Sequence, residues 1–168
     1  MIIQIDEYGK PDEIHIEMAR ELKRTSSQRE KDTAEIASRT KENEKIVSIL
    51  HDKYGMQYVS KNDILRYRLY EELRENGYKT LYSDKYIPEN ELFSKNIDIE
   101  HIIPQALLFD DSFSNKTLEY RDINIEKGRR TAKDYVLGKF GEEGYEQYKT
   151  RVIDLYLRNV ISEAKRNK

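Results

Sequence analysis

Cysteine is absent from the 168 residues, which excludes a disulfide framework and a thiolate-bound zinc and suits a reducing compartment. No apolar run approaches the roughly 18 residues needed to cross a bilayer, and the start lacks the charged-then-apolar pattern of a signal peptide. The expectation is a soluble, cytoplasmic chain with no membrane partner. Histidine is scarce, at three residues, so carboxylates and amides are the other candidates for a metal or proton-transfer site. Charge of one sign is not in excess either. Lys and Arg number 30 against 32 Asp and Glu, a formal net charge of -2, so any surface for a polyanion must be a local patch.

What is present in quantity is charge of both signs, 37% of the chain, with a mean hydropathy of -0.91. That composition predicts a small core and a large solvated surface, with much of the chain in projecting helices. The length suits one catalytic unit with extensions and is too short for two large domains.

After a turn signal at Tyr8-Gly9-Lys10-Pro11, residues 14–19 alternate apolar and polar side chains, the mark of a half-buried strand. One strand alone is not stable. Residues 21–50 are rich in Glu, Lys, Arg, Ser and Thr, with a thin apolar stripe at Ile36, Val47 and Leu50, and read as an exposed connecting helix. A firmer helix starts after Ser60-Lys61-Asn62-Asp63, where Ser60 or Asn62 can cap, carries Leu65, Leu69 and Leu73 at i, i+4 spacing, and stops at Asn76-Gly77. Residues 97–103 read as a strand stopped by Pro104, and residues 116–121 as a second short strand after a polar loop, so the two suggest a long-looped hairpin. Residues 124–133 then look like a short basic helix or turn. A last helix is expected over 142–165, with Tyr145, Tyr148, Val152, Tyr156 and Val160 on one side.

The specific part of the sequence is Asp98-Ile99-Glu100-His101-Ile102-Ile103-Pro104, followed by Asp110-Asp111-Ser112-Phe113-Ser114-Asn115-Lys116 and then by Asn124, nine residues beyond Asn115. This three-part pattern resembles the HNH motif of type II CRISPR effector nucleases, with Asn124 at the third signature position. The resemblance implies an α+β fold, mostly helical, with a ββα-metal centre in which a two-stranded antiparallel hairpin is surrounded by helices. It implies cleavage of a phosphodiester in the DNA target strand paired with a guide RNA. The partners would be that heteroduplex and the remainder of the effector, with the chain itself a monomer.

Such hydrolysis needs a water to lose a proton, phosphate charge to be neutralised and a leaving oxygen to be stabilised. His101 is the candidate general base, since an imidazole has a reference pKa of about 6.5; a ring nitrogen bonded to a backbone carbonyl would fix its tautomer. Glu100 and the amide oxygen of Asn124 are the candidate ligands of a hard cation, magnesium with manganese as a substitute. By resemblance Asn115 orders the loop behind His101, Asp98 lies just outside the metal shell, and Lys127 meets a phosphate. Adjacent residues of an ideal strand point to opposite faces, so bringing Glu100 and His101 to one ion calls for a twist or bulge.

A second resemblance, at residues 12–20, is to the middle strand of the same proteins' RuvC-like nuclease domain. Glu17 would there bind metal with carboxylates from outside this chain. The expected organisation is therefore a RuvC-like strand remnant over 1–23, a helical linker over 24–56 and the HNH nuclease domain over 57–168, truncated at its C-terminal end.

Plainer readings apply to other residues. His15 and His51 read as ordinary structural histidines, and five tyrosines (67, 70, 145, 148 and 156) at helical spacing read as core rather than base-stacking platforms. Arg151, Arg158 and Lys165 recur every seven residues, which suits a solvated helical face before it suits a phosphate track. Two alternatives stand beside the main reading: a free-standing HNH endonuclease, and a catalytically silent nucleic-acid-binding module.

Overall fold

In the computed structural model of the protein the described residues are 25–168; the strand expected at residues 14–19, with Glu17 on it, lies outside them. The chain divides into two compact units, Met1–Glu42 and Asn43–Lys168. The division falls inside the first described helix, α1 (Ser26–Tyr54). Thr25 and Gln28 open this helix reciprocally, each side chain accepting the other's backbone N–H, so two of the donors orphaned at a helix start are satisfied. Its charged first half is exposed, Ile36 included, and only Ile46 and Leu50 are buried. The apolar stripe thus runs through Ile46 rather than Val47, and it is confined to the last turns.

In the second unit, Gly55 at φ 66° ends α1 in the left-handed region where glycine carries no steric penalty. Helix α2 (Lys61–Glu72) starts on a capping box between Ser60 and Asp63. It buries Leu69 and Tyr70, continues as a tight turn through Asn76, and stops at Gly77 at φ 67°. The Arg66 guanidinium reaches from α2 to the carbonyls of Leu92 and Ile97, and the Tyr70 hydroxyl donates to the Ile87 carbonyl at 3.1 Å. These bonds tie down residues 78–96, an irregular segment that nevertheless buries Leu81, Tyr82, Ile87 and Leu92. No sequence period marks it, because irregular backbone buries side chains one at a time.

Strands β1 (Ile97–His101) and β2 (Lys116–Tyr120) pair antiparallel, one residue against one from Ile97 opposite Tyr120 to His101 opposite Lys116. Helix α3 (Arg121–Lys127) follows β2 without a connecting loop, three residues earlier than the sequence suggests, and ends at Gly128 at φ 56°. Helix α4 (Ala132–Leu157) is capped by Thr131 and broken at Gly141, whose φ of 68° and ψ of -171° no helix contains. It begins ten residues before the expected start at 142, because three glycines at 138, 141 and 144 dilute its period. Arg158 closes it, and a short helix α5 (Glu163–Arg166) follows.

One core joins Leu69 of α2 and Leu73 of the turn after it, Ile97 and Leu118 of the hairpin, Ile123 of α3, and Tyr135, Val136 and Leu155 of α4. The five tyrosines read as core pack in it or against it. The charged helical face does not exist as expected. Arg151 donates to the Leu81 carbonyl, Arg158 pairs with Asp154 and Glu75, and Lys165 is buried against Glu72.

Glu119 on β2 is fully buried, and its Oε1 accepts from the Tyr120 N–H and the Ser83 hydroxyl, both at 2.9 Å, whereas Oε2 has no partner. Desolvation pushes its carboxyl above the usual range, partly opposed by those hydrogen bonds. A raised folded-state pKa means that the folded chain holds this proton more tightly than the unfolded chain. The contribution is complete below the unfolded pKa and is lost as pH rises through the folded one. Glu119→Gln, neutral throughout, is expected to melt a few degrees above the parent at pH 7 and to lose that advantage at pH 4. Thermal denaturation at the two pH values checks this; an equal shift at both would assign the effect to packing.

Candidate active site

The site is built on the two faces of the hairpin and on what lies over each. Alternation puts Asp98 and Glu100 on one face of β1, and α3 lies over it with Asn124 and Lys127 three residues apart on its inner side. The strand's two-residue step and the helix's three-residue step match. Asn124 Nδ2 donates to Asp98 Oδ2 at 3.1 Å, and Lys127 Nζ donates to Glu100 Oε1 at 2.6 Å and to the His101 carbonyl at 2.9 Å. Arg121 stands 3.4 Å from the same Asp98 oxygen. Lys127 is 1% exposed and Glu100 8%. Lys127 is thus placed inside the domain, fastening α3 to β1, and not on the surface where a phosphate would be met.

His101 projects from the opposite face, at the strand's last residue. Its Nε2 lies 3.0 Å from Asp111 Oδ1, an oxygen that also receives Lys116 Nζ at 2.8 Å and Gln105 Nε2 at 2.9 Å. Lys116, chiefly, and then His101 hold the Asp111 carboxyl below its ordinary pKa, so it stays ionised as an acceptor. The histidine's orientation therefore comes from a carboxylate rather than from a backbone carbonyl. The strand needs no bulge: Glu100 and His101 diverge as alternation dictates, and each finds its partners on its own face.

The loop that carries Asp111 is closed by Asn115, which is fully buried. Its Oδ1 accepts from the Ile103 N–H, and its Nδ2 donates to the carbonyls of Ile103 and Asp110, each at 2.9 Å. The far end of the chain fastens the same loop from outside. Lys168 pairs with Asp110, and Lys165 of α5 lies 5.1 Å from the Phe113 ring centre. Asp111 and Lys116 are the functional candidates that sequence reasoning passed over. Both stand in the quoted loop motif, but nothing in the spacing says that one will face a histidine ten residues upstream.

The structure brings Asn124 to Asp98 and Glu100 to Lys127; it does not hydrogen-bond Glu100 to Asn124. Among the described residues no three His, Asp or Glu side chains gather as a ready cation cage. The donors on the α3 face are nonetheless all oxygen: the carboxylates of Asp98 and Glu100, and Asn124 Oδ1, whose amide nitrogen is the atom committed to Asp98. Such a set fits a hard divalent cation that keeps several waters.

Residues 80–133 match the family model of the HNH endonuclease, a span that contains the hairpin, the loop and α3. A stretch of 141 residues, 76% of the chain, is 34% identical to CRISPR-associated endonuclease Cas9 1 of Streptococcus thermophilus, of which it spans 12%. The chain contains an HNH nuclease domain of the type II CRISPR endonuclease family. Over 79 residues, 46% of the chain, it is also 37% identical to the Cas9 of Staphylococcus aureus, of which it spans 8%. The crystal structure of S. thermophilus Cas9 in complex with the GGAA PAM superposes on 96% of the chain and 16% of its own length, with a TM-score of 0.63 and 26% identity. The type II-C Cas9 of Actinomyces naeslundii shares the fold at a TM-score of 0.63 and 20% identity, over 98% of the chain and 19% of its own. HNH nucleases depend on a divalent metal ion, and the oxygen donors of this HNH domain agree with that chemistry.

Because Lys127 and Glu100 are buried as a pair, removing the ammonium strands a carboxylate in the interior. Lys127→Met is expected to cost about 3–5 kcal/mol in urea denaturation, and the double variant Glu100→Gln, Lys127→Met to recover most of it. A single variant within about 1 kcal/mol of the parent would show that the pair does not hold α3.

Proposed function

We propose that the HNH domain of this chain hydrolyses a phosphodiester in the DNA strand paired with a guide RNA, as one nuclease centre of a longer RNA-guided effector. The observation that supports it most is the disposition of His101. Its Nε2 is engaged by Asp111 while Nδ1 makes no hydrogen bond among the described residues, which leaves Nδ1 available to accept a proton, at the end of the strand whose other face carries the oxygen donors. In this reading the Nε2–H donates to the ionised Asp111, which fixes the tautomer and stabilises the imidazolium once Nδ1 has taken a proton from water.

Asp98, Glu100 and Asn124 would hold the cation, magnesium by the hardness of its donors, with manganese as a substitute. Bound there it supplies charge neutralisation at the phosphate and at the leaving oxygen. Asn115 is a positioning residue, keeping Asp110–Lys116 closed behind His101. Lys127 sets where Glu100 and the His101 carbonyl lie. Residues 57–168 form the nuclease domain in this proposal, residues 24–56 connect it, and residues 1–23 with Glu17 belong to a second, RuvC-like centre completed from elsewhere. Partners are then the heteroduplex and the remainder of the effector, and base pairing rather than this domain supplies sequence choice. A silent binding module has no use for a histidine poised in this way.

His101→Ala is expected to lower magnesium-dependent nicking of supercoiled plasmid by about a hundredfold to ten-thousandfold and to leave ion binding intact. Asn124→Ala and Glu100→Gln are expected to weaken ion binding, followed by amide shifts during a magnesium titration. Glutamine is chosen to keep an acceptor for Lys127. Loss of ion binding in His101→Ala would make the imidazole a ligand and end the general-base reading.

A further inference from the structure

The strongest candidate outside the described site is a groove of about 380 Å³ between the two segments of α4 and the C-terminal residues. Lys133, Lys149, Arg166 and Lys168 line it together with Tyr145, Tyr148 and two apolar residues of α4, and no Asp or Glu side chain does. The break at Gly141 makes it possible. In a continuous helix residues 133 and 145 would lie about 18 Å apart along the axis. Here the Lys133 and Lys149 ammonium groups lie 6.0 and 5.0 Å from the centre of one ring, that of Tyr145. On the other wall Arg166 stacks 4.3 Å from the Tyr156 ring centre. Lys149, Arg166 and Lys168 each form one ion pair, with Glu146, Glu163 and Asp110 respectively, all outside the groove's lining; Lys133 forms none among the described residues.

In a chain of net charge -2, four cations around one concavity form the local patch that a polyanion requires. The groove also shares its rim with the catalytic loop. Lys168 holds Asp110, next to the residue that orients His101, and Ala132, next to Lys133, donates its N–H to the Ile102 carbonyl at 2.9 Å, next to His101. We propose that the groove binds the sugar-phosphate backbone of the DNA strand on one side of the phosphodiester presented to His101. This rests on the nuclease reading and names a second contact for the same strand. Cations held by aromatic rings keep their place before a phosphate arrives, so less side-chain freedom is lost on binding.

The test uses the full chain carrying His101→Ala, so that the probe is not cut, and a fluorescein-labelled DNA oligonucleotide annealed to complementary RNA. Anisotropy is followed over a series of salt concentrations. Adding Lys133→Glu and Lys149→Glu is expected to weaken binding at least about tenfold and to lower the slope of log affinity on log salt by about two, one for each phosphate that a lysine no longer neutralises. Lys45→Glu, an exposed lysine on α1, should leave both quantities unchanged. If the double variant fails to fold by circular dichroism, Lys133→Gln with Lys149→Gln replaces it, with the slope again expected to fall. An unchanged affinity and slope, or an equal loss in Lys45→Glu, overturns the groove. The two readings separate by nicking with His101 intact. A parent that binds and nicks while the lysine variants bind as well as it does defeats the groove alone, and a parent that neither binds nor nicks defeats both.

Discussion

An ammonium group taken out of water is tolerated only where oxygen surrounds it, and Lys127 finds two, a Glu100 carboxylate oxygen and the His101 carbonyl. Both belong to the end of β1. Because α3 leaves β2 without a loop, this bond, the apolar contact of Ile123 and the contacts of Arg121 and Asn124 with Asp98 set the height and angle of the helix over the sheet. Once the helix is seated, Asn124 falls opposite Asp98, since one helical turn and one strand repeat advance similar distances. The oxygen face thus depends on how the helix is seated, to which the buried cation contributes. The same bond claims one of Glu100's two oxygens, so any external cation enters a face whose charge is already partly balanced from within.

The other face of the hairpin is organised around an anion. Asp111 gathers His101, Lys116 and Gln105, and its loop is kept in place by a fully buried amide. The two faces differ in their exposure. On the α3 face the Glu100–Lys127 pair is buried, whereas Asp111 is exposed, so the histidine is steered by a group that water can reach. The chain spans about an eighth of the S. thermophilus Cas9 that it matches, so most of that relative's surface has no counterpart in these residues.

The hairpin and its motif were legible because their signal is local: alternation over five residues, a proline after the strand, and fixed spacings to Asn115 and Asn124. The capped start of α2 and the glycine at its end were legible for the same reason. Lys127 was misplaced since lysine is seldom buried, and a lone lysine on a basic helix gives no hint of a carboxylate below it. A demand that both neighbours face one ion calls for a twist or bulge at Glu100, and the one-to-one register contains no bulge there. The early start of α4 was hidden by glycines, one of which does break the helix. What could not be read is the burial within residues 78–96 and the link from Lys168 to Asp110, because contacts across 58 residues leave no periodic trace.

That last link bears on the order in which the chain is made. Synthesis delivers the hairpin, the loop and α3 well before residues 162–168, so the loop behind the histidine gains its outer fastening only when α5 has emerged and docked. Until then Asn115 and the contacts of Asp111 close the loop from within, and Asp110 stays without its lysine. A nascent chain would therefore carry a complete motif before the outer brace of its loop is in place.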